Sequence, residues 1–175
     1  MDILPDLQPG RITAAFGASA FLPALLAELA LRGPVTVLDG GNCFPAYRIA
    51  REIRKRSLDV LDASNRIHLR RAFTAYQVVH LLESAPAVRH PQIVLDLPAT
   101  FQDDQIIPRE AERLLTLCLL HLERLSHSAP LLLCIESFIA ADKAFVLKRL
   151  SERADQVFFP EDSRSAQPAQ LTLFP

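Results

Sequence analysis

GRITAAFGASAFLPALLAE, Gly10 to Glu28, is the stretch whose reading decides the fold. Ile12 to Phe16 is a short apolar run that predicts a buried strand. Gly17 and the small residues after it predict a turn, and the Leu- and Ala-rich segment that follows predicts a helix closed by Gly33-Pro34. Strand, glycine turn and helix in that order open a βαβ unit.

The alternation continues outward from this unit. Val35 to Leu38 predicts a second buried strand ending at Asp39, and Gly40-Gly41 a turn. From Phe44 or Pro45 to about Ser57, Ala46, Ile49, Ala50 and Ile53 recur at helical spacing, with Arg48, Arg51, Arg54, Lys55 and Arg56 on the remaining surface. Ile67 to Arg71 alternates like a strand, and Thr74 is placed to cap a helix reaching about Ser84. Gln92 to Leu97 predicts a strand containing Asp96, followed by a polar loop from Pro98 to Pro108 and a well-buried helix from Arg109 to Ser126. Leu131 to Ile135, Asp142 to Ala154 and Val157 to Phe159 complete the series as strand, helix and strand. Strands alternating with helices predict an α/β fold: one mainly parallel sheet, covered by helices on both faces, in a single domain. Residues 1–160 are expected to form this core, 161–169 a polar linker, and 170–175 a separate tail.

The opening unit has the outline of a phosphate-binding loop without its chemistry. The pattern GxxxxGK[ST] needs a second glycine for close backbone approach, a lysine for the β- and γ-phosphates and a hydroxyl for magnesium. Counted from Gly17, those places hold Leu22, Pro23 and Ala24. Proline supplies neither charge nor a backbone donor. No cofactor is therefore expected.

Four segments resemble the RecA-like recombinases of archaea and eukaryotes. DGGNCFPAYRI matches that family's DTEGTFRPERL without gaps at Asp39, Phe44 and Arg48, and GRITAAFG lies near the family's phosphate-loop strand. RRAFTAYQVVHLLE, Arg70 to Glu83, is similar to its next strand-to-helix segment, and IVLDLPATF, Ile93 to Phe101, to its Walker B strand with Asp96 at the aspartate. The resemblance runs from about Gly10 to Pro160 and implies a RecA-like three-layer core. It also puts the family's catalytic glutamate on Gly41 and its lysine on Pro23, which implies a pseudo-ATPase with Asp96 as a residual magnesium-side residue. A strand-end aspartate that caps a loop is the plainer reading of Asp96.

At the other end, Gln170-Leu171-Thr172-Leu173-Phe174 resembles the bacterial sliding-clamp-binding pattern QLxLF, with Gln170, Leu171, Leu173 and Phe174 at its fixed positions. A polar linker presents such a peptide well, with the glutamine at a pocket rim and the apolar side chains in a cleft. The alternative is that the tail adds as an edge strand to its own sheet. The two resemblances together imply a non-catalytic accessory protein of bacterial DNA repair, recombination or translesion synthesis. Its expected partners are the sliding clamp and a recombinase or specialised polymerase. Two other readings are a small recombinase-type ATPase and a RecA-like regulator that binds a protein partner.

Charge bounds the remaining choices. Nineteen Lys and Arg against 20 Asp and Glu give a net charge of -1, which does not draw the chain to nucleic acid in bulk. The cluster Arg48, Arg51, Arg54 and Lys55, with Arg70 and Arg71, has three readings: a weak DNA contact, a protein-partner contact or a solvated helix face. Tyr47, Phe73 and Tyr76 read as core or rim residues more readily than as base-stacking ones. Cys43, Cys118 and Cys134 lack ligand spacing and predict small buried hydrophobes, so no metal is expected. The five histidines show no ligand pattern. The longest apolar runs fall short of the roughly 20 residues that span a bilayer. The N-terminus shows no basic leader, so cytoplasmic residence without membrane contact is the expectation.

Overall fold

The computed structural model describes residues 7–136 and 140–159. Six strands, β1 (Ile12–Phe16), β2 (Val35–Asp39), β3 (Ile67–Arg71), β4 (Gln92–Leu95), β5 (Leu131–Ile135) and β6 (Gln156–Phe158), form one sheet in the order β3-β2-β4-β5-β1-β6. Every pairing is parallel. The helices are α1 (Leu22–Arg32), α2 (Ala46–Arg54), α3 (Val60–Asn65), α4 (Ala75–Glu83), α5 (Pro108–Ser126) and α6 (Phe145–Arg153). Helices α1 to α3 pack on one another on one face of the sheet, and α4 to α6 on the other, giving three α/β/α layers.

Why the inner strands read as unbroken apolar runs follows from this layering. In β5, Leu131, Leu133 and Ile135 enter the core under α4 to α6, whereas Leu132 and Cys134 enter the core under α1 to α3. In β4, Val94 faces the first core and Ile93 and Leu95 the second. Each such side chain contributes roughly 1.5–3 kcal/mol by leaving water, so a one-residue slip would cost both cores at once. The edge strands obey a looser rule: β3 and β6 are each half exposed.

Local signals place the helices. Pro23 sits in the first turn of α1, where a missing N–H costs nothing. Thr74 caps α4 by accepting from the Gln77 amide (3.2 Å), and the Gln77 side chain accepts in turn from the Phe73 amide (2.8 Å), a near relative of the capping box. The carbonyls of Leu82, Glu83 and Ala85 at the end of α4 accept from one Arg124 nitrogen of α5.

In the connection from α2 to β3, Asp59 accepts from the Asp62 amide (2.9 Å) and starts the short helix α3. Two expectations are corrected. The segment expected as a polar loop after β4 begins as a 3-10 helix, Leu97–Gln102, whose Phe101 is fully buried, and Ile106 is buried beyond it. Cys118 and Cys134 are buried as expected, but Cys43 reaches the surface, because it lies in the turn after β2 and not within an element. Among the described residues, no helix is long and apolar enough to cross a membrane.

Candidate functional site

The sheet is wound in two directions. From β1 through β2 to β3 the connections lie on the α1–α3 face, and from β3 back through β4 and β5 to β6 they lie on the α4–α6 face. Neighbouring strands whose chains leave toward opposite faces open a crevice at their carboxyl ends, the usual ligand site of such sheets. Three neighbouring pairs meet this condition, β1/β5, β2/β4 and β2/β3, and the first two hold the loop and aspartate positions singled out in the sequence.

The first crevice holds the turn after β1. Gly17 adopts a left-handed conformation (φ 66°) and donates to the Ile135 carbonyl (3.1 Å). Of the four positions singled out in the loop, Gly17 makes the turn, while Leu22 and Pro23 are buried and Ala24 is half-buried at the start of α1. A carboxylate meets this loop: Glu136, just beyond β5, accepts from the Ser19 amide at 2.5 Å and also bonds its hydroxyl. Part of Glu136 reaches solvent, yet desolvation of its carboxyl pushes it above the ordinary carboxylate range, against the Ser19 hydrogen bonds that pull it down, with the nearby charge of Asp96 adding to the rise.

The second crevice is tighter. Gly40 and Gly41 both donate to the Leu95 carbonyl (2.8 and 3.2 Å), which draws the turn after β2 onto the end of β4. Asp96 stands there in a left-handed conformation (φ 42°, ψ 48°), and its Oδ1 accepts from the Glu136 amide (3.1 Å). A Cβ on Gly41 would lie 2.6 Å from the Asp96 Cβ and 3.0 Å from its Oδ2. The position matching the catalytic glutamate is thus closed to any side chain in this arrangement. A small hollow of about 150 Å³ remains, lined by Gly40, Gly41, Asn42, Phe73, Ala99 and Thr100.

Asp39, fully buried at the end of β2, accepts from the amides of Cys43 (3.0 Å) and Phe44 (3.2 Å) and from Arg71 Nε (3.0 Å). It fixes the turn into α2. Desolvation of the Cys43 thiol, reinforced by the charges of Asp39, Asp96 and Glu136, pushes its pKa up to about 12. The rise disfavours the thiolate, the reactive form of a cysteine. Among the described residues, no group of His, Cys, Asp and Glu side chains is placed to hold a metal ion.

Away from these two crevices, the β3 edge is flanked by two concavities. Beyond β3 no further strand pairs among the described residues. On its α4 side a concavity of about 430 Å³ is lined by Arg70, Arg71, Phe73, Tyr76, Gln77, His80 and Leu81. On its α2 side a second, of about 230 Å³, is lined mainly by Phe44, Ala46, Ile49, Ala50, Ile67 and Leu69. Leu69, Phe73 and Tyr76 are all exposed along this edge.

The structure separates the basic residues by role. Lys55 pairs with Glu52 (2.6 Å), Arg70 bonds Ser84 and Arg71 bonds Asp39. Arg48, Arg51 and Arg54 are exposed on the outer side of α2. Gln170, Leu171, Leu173 and Phe174, with the linker before them, lie outside the described residues.

Glu136 and the Gly41–Asp96 contact were not legible beforehand. Glu136 reads as one acidic residue after a strand, and its partner Ser19 is 117 positions away. The chain matches no protein-family model and no curated protein sequence at a significant level.

Proposed function

We propose that the chain is a non-catalytic RecA-like accessory protein of bacterial DNA repair, recombination or translesion synthesis. In this reading its core is a docking platform, and Gln170 to Phe174 recruits it to the sliding clamp. The observation that carries the pseudo-ATPase half is the contact of Glu136 with Ser19. A carboxylate lies on Ser19, one of the loop residues whose amide a phosphate would use, in a loop whose lysine place is taken by the helix-starting Pro23. The closed approach of Gly41 to Asp96 supports the same reading. The sheet order adds support, since β5 lies between the loop strand β1 and the Asp96 strand β4.

The recruitment half rests on the tail motif and is tested directly. The full chain and a version ending at Ala169 are compared for binding to a purified bacterial sliding clamp. Binding by the full chain and loss in the shortened one is the expected result. Equal binding by both would refute recruitment through the tail.

A second reading, a RecA-like regulator that binds a protein partner, is favoured by the β3 edge, which no strand pairs among the described residues, with its two flanking concavities. Edge strands present ready donors and acceptors for an added strand, and neighbouring pockets select its side chains.

A further inference from the structure

The outer side of α2 and the α2–α3 connection carry charge and apolar area left exposed by the described residues. Residues 46–71 hold eight of the 19 Lys and Arg residues and three of the 20 acidic ones, a local charge of +5 on a chain of -1. Five of those eight cations are engaged internally: Lys55 with Glu52, Arg56 with Glu28, Arg66 with Asp62, Arg70 with Ser84 and Arg71 with Asp39. The side chains of the other three, Arg48, Arg51 and Arg54, make no hydrogen bond or ion pair with any described residue.

Arg51 lies opposite the buried pair Ile49 and Ile53, with Arg48 and Arg54 to either side, and Arg48 and Arg51 also line a concavity of about 270 Å³ with Ala20, Pro23, Ala24 and Glu52. The three arginines fall within two helical turns, about 9 Å along the axis. Tyr47 is 79% exposed at the start of the same helix, and Leu58 and Leu61, past its end, are 104% and 73% exposed. A single exposed leucine means nothing. Two exposed leucines three residues apart follow, within one stretch of chain, a helix that carries an exposed tyrosine and three arginines whose side chains are without a partner among the described residues, and Tyr and Arg are the types enriched at interfaces.

We infer that this strip docks an acidic, partly apolar peptide segment of a protein partner. Carboxylates of the segment pair with Arg48, Arg51 and Arg54, where the guanidinium fork accepts bidentate geometry. Its apolar side chains cover Tyr47, Leu58 and Leu61. A nucleic-acid backbone would satisfy the arginines yet leave both leucines in water, and the acidic excess over the rest of the chain opposes a long polyanion. The strip uses none of the tail residues, so this docking stands or falls separately from clamp recruitment.

The test is fluorescence anisotropy with the full chain and three labelled probes. One is a short peptide with Glu and Leu at helical spacing, one the same peptide with Lys for Glu, and one a single-stranded oligonucleotide of matching length. Saturable binding of the acidic peptide alone is expected, weakened by about tenfold or more in the variant R48E/R51E/R54E and several-fold in L58S/L61S. All five positions are exposed, so both variants should keep the parent's melting curve. The inference is overturned by no saturable binding of the acidic peptide or by binding that both variants leave unchanged. It is also overturned by an oligonucleotide that binds more tightly than the peptide and responds only to the arginine changes.

Discussion

At Gly41 the distance that matters is 2.6 Å, from a would-be Cβ to the Cβ of Asp96. Neither atom can move by a rotamer change, because a Cβ is fixed by its backbone. Gly41→Ala should therefore destabilise the fold by roughly 1–3 kcal/mol, the usual cost of overpacking. Adding Asp96→Gly should recover part of the loss, since it removes the opposing atom at a left-handed position that glycine accepts. Urea denaturation of both variants reads this, and an Ala variant as stable as the parent would mean the turn does not approach β4 as described. Glu136 gives a second residue-scale prediction. Its folded pKa lies above its ordinary value, so its contribution to stability is full below that value and is lost as pH rises through the folded pKa. Glu136→Gln keeps an acceptor for the Ser19 amide without an ionised group near Asp96. The variant should be at least as stable as the parent at neutral pH and should gain less on acidification. Melting curves across that range check it, and a neutral-pH loss of stability would contradict it.

Among the elements, β4 carries a flaw that its sequence position conceals. Gln92 opens the strand between Thr36 and Leu131 and is fully buried, yet its side-chain Nε2 and Oε1 have no partner among the described residues. An unsatisfied buried polar group costs about 1–3 kcal/mol. Gln92→Leu should then raise stability by about 1 kcal/mol or more, measured by chemical denaturation; a loss would show that the amide is satisfied in solution. The same strand shows what sequence reading can reach. Ile93 to Leu95 announce themselves because both faces of the sheet are covered, and a continuous apolar run has few other uses. Thr74 announces α4 because capping is chemistry between residues three apart. Helix α3 carried a comparable signal in Asp59 and Asp62, but its six residues bury only Ala63 and leave no helical period to find. Phe101 was hidden for the opposite reason, set among Pro98, Gln102 and the acidic pair Asp103-Asp104, which read as loop.

For the whole molecule, the contacts that define the candidate site are long-range, and that is why they were illegible. Ser19 with Glu136, and Gly41 with Asp96, join segments brought together only by the winding of the sheet. What local pattern did show was the alternation of strand and helix, and with it the three layers. We propose that the β1/β5 and β2/β4 crevices are closed to a nucleotide by the chain's own groups, and that the working surfaces are the β3 edge, α2 and the tail. The most direct measurement is thermal unfolding of the full chain with and without magnesium-ATP. A ligand that binds the folded state at 100 times its dissociation constant adds about 2.7 kcal/mol. The account predicts no shift at millimolar nucleotide, and a dose-dependent rise in melting temperature, lost on changing Asp96 to Ala, would contradict it.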